Sequence, residues 1–420
     1  MEVSRELVKI ESKTYSLERN RLNYQSITTE SQLGELCDVL HSAETIAFDT
    51  EFISENTYRP QLCLVQIAAG SVQAIIDPLK VTNLTPFWQL LAEGNQKTIV
   101  HAGREEVCFC LRATGKIPAN LYDVQIASGL IGLEYPAGYR TLVKKLLQKS
   151  PAKDQTRSDW QKRPLSERQL EYAMGDVLYL ERMEQEISKK LQEMGRLTWL
   201  EEEIQSWLVQ VCESHDRKKW RRVSGISGLS RRNKAIVREL YFWREQTAEK
   251  RNMPVRRVLR DDLIIELAKH PPSNVEQIKT IRGMERGDLR KVLPEIAACL
   301  NKGIELSDTD LPTSQRRKEL PPQLNMLGQL LSSALQSICH KSHLATSIVG
   351  NPSDVRDLIA YRLGLRGQED PPMLTQSWRA ELVGNLLDDL LQGKVTVRIK
   401  DPNSALPLNF EYRHETENSD

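Results

Sequence analysis

The run TIAFDTEF, residues 45–52, decides how this chain folds and what it can do. Its β-branched and aromatic content predicts a strand, and along a strand successive side chains point to opposite faces. Ile46, Phe48 and Phe52 then share one face, and Asp49 and Glu51 share the other. Two carboxylates side by side repel. Without a cation one of them must take up a proton, whereas a divalent ion turns the repulsion into coordination. A lone Asp-x-Glu is more often the solvated face of an ordinary sheet, so its meaning depends on what the rest of the chain supplies.

Working outward, the apolar runs at 62–69, 72–77 and 98–101 read as further strands, and helical periodicity begins at Gly103. Strands early and helices late across 22–206 predict an α/β domain on a mixed sheet. A basic, Ser/Gly-containing linker is expected at 207–230, followed by a helical block at 231–303, a polar linker at 304–322, a second helical block at 323–395 and a polar tail at 396–420. Residues 1–21 read as a polar extension. Beyond the basic linker the chain reads as helices only.

Composition narrows the class. With 40% hydrophobic and 27% charged residues the chain reads as soluble and globular, and its longest apolar runs, such as LCLVQIAA, are far too short to span a bilayer. No secretory signal is read at the amino terminus. Seven cysteines without a C-x-x-C pair argue for a reducing compartment, the cytoplasm, and against a disulfide scaffold or zinc site. A net charge of +1 conceals nine Lys or Arg against one acid between residues 215 and 238, with Trp220, Arg221 and Arg222 at the centre. Clustered cations around an aromatic suit either a solvated linker or a polyanion whose bases can stack.

Two further acidic positions follow. In VHAGREEVCFC a helix begins after the strand ending near His101, leaving Glu105 and Glu106 in its first turn, where the helix dipole favours acids in any case. In LSERQLEYAMGD, Ser166 and Gln169 have capping-box spacing, and Tyr172 and Asp176, four apart, share a helix face. Gly175 beside Asp176 costs about 1 kcal/mol against Ala, which suggests a close approach to the backbone there.

Taken in order, DTEFISENTYRPQLCLVQIA, VHAGREEV, LYDVQIASGLIG and SDWQKRPLSERQLEYAMGDVLYL resemble the three exonuclease motifs of the DEDD superfamily, tyrosine subclass, and in combination the ribonuclease D family. MPVRRVLRDDLIIELAKHPPS with IKTIRGM is similar to the helicase-and-RNase-D C-terminal (HRDC) domain, and the block ending SWRAELVGNLLDDLLQGK sits where that family carries a second HRDC-like module. The resemblance implies a ribonuclease-H-like α/β exonuclease domain followed by two all-α bundles. It implies two-metal hydrolysis of RNA from the 3′ end to nucleoside 5′-monophosphates, with tRNA precursors as the substrate class.

Carried over residue by residue, Asp49, Glu51, Glu106 and Asp176 would hold two Mg²⁺ or Mn²⁺ ions, and Tyr172 would orient the attacking water. The family usually has Asp where Glu106 stands. Asp123 is the rival for that fourth carboxylate, although its position at a helix start suits an N-cap. His101 and the Asp159-Trp160 pair match family positions near the active site, and Phe52 would wedge against a terminal base. The competing readings are a DNA 3′–5′ exonuclease with the same chemistry and a non-catalytic RNA-binding protein with a decayed site.

Overall fold

A computed structural model describes residues 24–150, 158–213, 219–312, 321–365 and 371–413; the extension at 1–21 lies outside them. Its amino-terminal part is built on a six-stranded sheet of β1 (Gln25–Ile27), β2 (Thr45–Ile53), β3 (Gln61–Ala69), β4 (Val72–Ile76), β5 (Lys97–Val100) and β6 (Leu121–Asp123). The order is β1-β4-β3-β2-β5-β6. β2 runs antiparallel to β3 and parallel to β5, so the sheet is mixed as the strand pattern predicts. On the β3 side Asp49 pairs with Gln66 and Glu51 with Leu64. The register then shifts, with Phe52 opposite Leu62. On the β5 side pairing stops at Ala47, so the end of β2 that carries the acids has an open edge.

Among the described residues eight helices belong to this part: α1 (Glu30–His41), α2 (Thr85–Glu93), α3 (Arg104–Thr114), α4 (Val124–Gly129), α5 (Tyr139–Leu147), α6 (Glu167–Gly175), α7 (Leu180–Glu193) and α8 (Leu197–Glu213). Phe48 meets Phe87 and Trp88 of α2 edge-on at 5.9 and 6.1 Å, which places the apolar face of β2 under α2 and α3. α7 packs against β2 and β5 through Leu180, Met183 and Ile187, and thereby brings the end of α6 over the acidic face. The capping box expected at Ser166 and Gln169 is present and starts α6. Arg163 ties the preceding segment to the sheet by a two-pronged ion pair with Asp77, both contacts at 2.8 Å.

α8 continues to Glu213, past the boundary expected at 206. The expected linker is not free chain either. Trp220, Val223 and Leu229 are buried in a separate core built on α9 (Arg231–Lys250) and α10 (Asp261–Lys269), together with the helix Leu293–Glu305. The second helical block packs differently. Leu331 and Leu335 of the helix Gln323–Lys341 and Leu358 of Pro352–Arg362 belong to the same continuous core as the sheet. Trp199 of α8 stacks on Trp378 at 4.9 Å, with Arg196 and Arg379 over the two rings. Arg196 donates to the carbonyls of Leu130 and His343, and Arg379 pairs with Glu203 at 2.8 Å.

One expectation is overturned at the carboxyl end. The region read as helix and polar tail forms an antiparallel hairpin, β7 (Val395–Ile399) and β8 (Leu408–Tyr412). VTVRI alternates apolar and polar residues, the signal of a half-exposed strand. Among the described residues no helix is long and apolar enough to cross a membrane, and all seven cysteines are free.

Candidate active site

Asp49 and Glu51 project from β2 toward the end of α6, where Asp176 caps the helix. One carboxylate oxygen from each of Asp49, Glu51 and Asp176 lies within 4.8 Å of the others. Asp176 is fixed through its backbone: its N–H donates to the Tyr172 carbonyl at 3.2 Å, and the Tyr139 hydroxyl donates to the Gly175 carbonyl at 2.7 Å and accepts from the Tyr179 N–H. Tyr139 went unnoticed in the sequence, because nothing local marks a tyrosine 36 residues upstream as the clamp on this turn. The protein atom that approaches the Gly175 backbone is this Tyr139 hydroxyl, whereas a Cβ on Gly175 would meet no protein atom within 4 Å. Half-buried as the last residue of α6, Gly175 interrupts no further helical turn.

Burial, then the charges of Glu106, Asp176 and Glu51, push the Asp49 carboxyl well above the usual carboxylate range. A set of hard oxygen donors that repel one another and lie close enough to share an ion fits a divalent cation. Tyr172 is half-buried on α6 beside the indole of Trp160, ring centroids 6.2 Å apart.

Glu106 is not one of the three acids whose oxygens lie within 4.8 Å of one another, although its charge is the largest of those acting on Asp49. It is buried in the first turn of α3, at the open edge of β2, and accepts a hydrogen bond from the Thr50 hydroxyl at 2.5 Å. Burial, augmented by Glu105 and Asp123 and opposed by the Thr50 bond, raises its carboxyl to about 7. Alternation along β2 puts Thr50 on the face opposite Asp49 and Glu51, so this partner could not be read from the acidic motif. Asp123 is not the substitute. Its two oxygens accept the N–H groups of Ala102, Gly103 and Gln125, capping α4 and closing the turn before α3.

These geometries match known proteins. A family model described as 3′-5′ exonuclease matches residues 24–192, and one described as HRDC domain matches residues 233–300. A ribonuclease D of Zymomonas mobilis is 31% identical over 393 residues, covering 91% of this chain and 97% of that protein. One of Acidiphilium cryptum is 32% identical over 379 residues, covering 88% and 94%. The chain belongs to the ribonuclease D family. The crystal structure of Escherichia coli RNase D, described as an exoribonuclease involved in structured RNA processing, is similar with a TM-score of 0.78 and 27% identity over 89% of this chain and 99% of that one. The chain is a 3′–5′ exoribonuclease with an acidic cluster suited to divalent metal.

Within this ribonuclease D fold the remaining expected residues divide. Phe52 is half-buried beside Glu51 and touches Phe109 edge-on at 5.9 Å. A ring nitrogen of His101 bonds the Ala137 carbonyl at 2.8 Å, the ring meets Tyr139, and burial lowers its proton affinity. Trp220 is corrected. At 5% exposure it is a core residue of the first helical block and has no face to offer a base. Arg221 lies over that indole at 5.1 Å, and Arg222 lines a cleft between α3 and the helical block.

Proposed function

We propose that this ribonuclease D trims the 3′ ends of tRNA precursors and other structured RNAs in the cytoplasm, using Mg²⁺ or Mn²⁺ held by Asp49, Glu51 and Asp176. The observation that carries the reading is the approach of those three carboxylates to within 4.8 Å. When bound there, divalent ions would activate water and stabilise the charge developing on the leaving 3′ oxygen.

The protein's own groups do the rest. Asp49, pressed by three neighbouring acids, is the group whose repulsion the cation relieves most. The Tyr172 phenol orients the attacking water by a hydrogen bond instead of acting as a strong base. Trp160 holds that ring in place. Glu106 would assist a second ion after turning away from Thr50. Phe52 gives the terminal base an apolar edge to rest on, and the two HRDC-like blocks guide the 3′ strand.

The test is hydrolysis of 5′-labelled RNA and DNA with free 3′ ends, in Mg²⁺ or Mn²⁺, by wild type and Asp49→Ala. A ladder on RNA that disappears in the variant is expected. Faster digestion of DNA, or binding of RNA without cleavage, would overturn the reading.

A further inference from the structure

A cleft of about 660 Å³ separates α3 from the first helical block. α3 contributes Arg104, Cys108 and Arg112 to it, four residues apart on one face, whereas Glu106 and Val107 turn toward the sheet. Lys219 and Arg222 enter from the opposite wall, on a short 3₁₀ turn anchored by the buried Trp220 between them. The charges on the walls do not cancel. Asp261 is taken by Arg244 at 2.5 Å, Glu245 accepts from Tyr58 at 3.1 Å, and Arg59 is paired with Glu249. Glu105 is the acid left to face Arg112, and Lys219 and Arg222 add two cations.

Arg112 points to the ligand. Its guanidinium lies 4.6 Å over Phe109, and its Nη2 is buried without a hydrogen-bond partner. A buried guanidinium N–H left unmatched costs free energy, and a phosphate oxygen is the acceptor whose charge and geometry suit it best. Phe109 in turn touches Phe52, next to Glu51, so this pair of rings links the Arg112 wall of the cleft to the strand that carries the acidic cluster. Arg112 is six residues along α3 from Glu106, a rise of about 9 Å.

We propose that this cleft binds a backbone phosphodiester of the RNA strand upstream of its 3′ end, through Arg112, Lys219 and Arg222, and so distinguishes an RNA long enough to reach it from one too short. The inference rests on the exonuclease reading above. It adds a length-dependent affinity that the metal site alone does not provide.

The double variant Arg112→Gln/Lys219→Gln tests it against wild type on two RNAs with the same 3′ sequence, a dinucleotide and an oligomer of about twelve nucleotides. For the longer RNA, KM should rise about tenfold, and the dependence of log KM on log salt should flatten by about 0.7 for the one lost phosphate contact. The dinucleotide, too short to reach the cleft, should keep its kcat and KM. Equal losses on both RNAs, or on neither, would overturn the proposal. Binding of the longer RNA, followed by fluorescence anisotropy in EDTA, reads the cleft without catalysis. If wild type cleaves nothing yet the variant still loses affinity, the exonuclease reading fails and the cleft stands. ADP and pyrophosphate serve as competitors: if they bind as tightly as the longer RNA, and the variant abolishes that binding, the site belongs to a free nucleotide and the proposal falls. Arg112→Lys, which keeps the charge but not the stacked guanidinium, should recover the salt dependence and only part of the affinity, and a wild-type affinity in the single variant Arg112→Gln would remove Arg112 from the site.

Discussion

The two faces of β2 treat their carboxylates in opposite ways. On one, Asp49 and Glu51 meet Asp176 and crowd like charges until Asp49 holds its proton far more tightly than a free carboxyl. On the other, the Thr50 hydroxyl donates to the buried Glu106, whose carboxyl burial pushes up to about 7 and whose charge still reaches Asp49. The first arrangement is relieved by a cation or by a proton held against three neighbouring acids; the second has a hydrogen-bond donor of its own. A site assembled for a metal is recognisable by repulsion its own residues do not relieve, and by that criterion Glu106 is the member that has found another partner.

The contrast is broken most severely on the crowded face. Asp49→Asn should lower kcat by about 10³-fold or more, since several kcal/mol of charge stabilisation are lost. The same change should stabilise the metal-free protein by about 1 kcal/mol, because it removes a like charge. A variant that is inactive and also less stable without metal would contradict the account of Asp49. Next in size, Tyr172→Phe should cost about 10²-fold in kcat with KM little changed, as expected for a group that orients the attacking water. Loss confined to KM would make Tyr172 a binding residue instead.

On the other face the effects are smaller and depend on pH. Glu106 binds its proton more tightly folded than unfolded, so its contribution to stability is complete below its ordinary pKa and is lost as pH rises through about 7. Burial lowers the His101 pKa, which works in the opposite direction over part of that window. The difference between wild type and Glu106→Gln is therefore the quantity to follow. Melting temperatures of the metal-free proteins between pH 5 and 8 should fall more steeply in wild type; parallel curves would place the Glu106 proton elsewhere. Glu106→Asp, restoring the residue usual in the family, should raise the Mg²⁺ rate relative to Mn²⁺ by a few-fold, because Mg²⁺ tolerates little deviation from its preferred geometry.

Much of this was legible in the sequence where local pattern and tertiary role coincide. β2 and β3 are nine-residue apolar runs whose alternation predicted both the strands and the shared face of Asp49 and Glu51. The capping box located α6, and with it Tyr172 and Asp176. β1 and β6, three residues each, carry too little pattern to be distinguished from loop. Trp220 misled for a physical reason: its neighbours in the chain are cations, but its environment is set by Ile236, Leu240 and other residues that only folding brings to it. The attachment of the second helical block through stacked Trp199 and Trp378 was equally hidden, since the two rings are 179 residues apart in the chain.

The smallest expected effect isolates the hydrogen bond that separates the two faces. Thr50→Val keeps the shape and β-preference of the side chain but removes the hydroxyl, leaving the Glu106 carboxyl buried without that donor. Stability should fall by about 1–2 kcal/mol, and Glu106 should hold its proton to a higher pH than in wild type, because the bond that lowers its pKa is gone. Activity, in contrast, should move little or rise slightly in Mn²⁺, since Glu106 no longer has to abandon Thr50 before it can turn toward the acidic cluster. Measured together, melting temperature and Mn²⁺-dependent rate separate the two roles. If both fall in proportion, the Thr50 bond holds Glu106 in its working position, and the division between the faces of β2 is one of position alone.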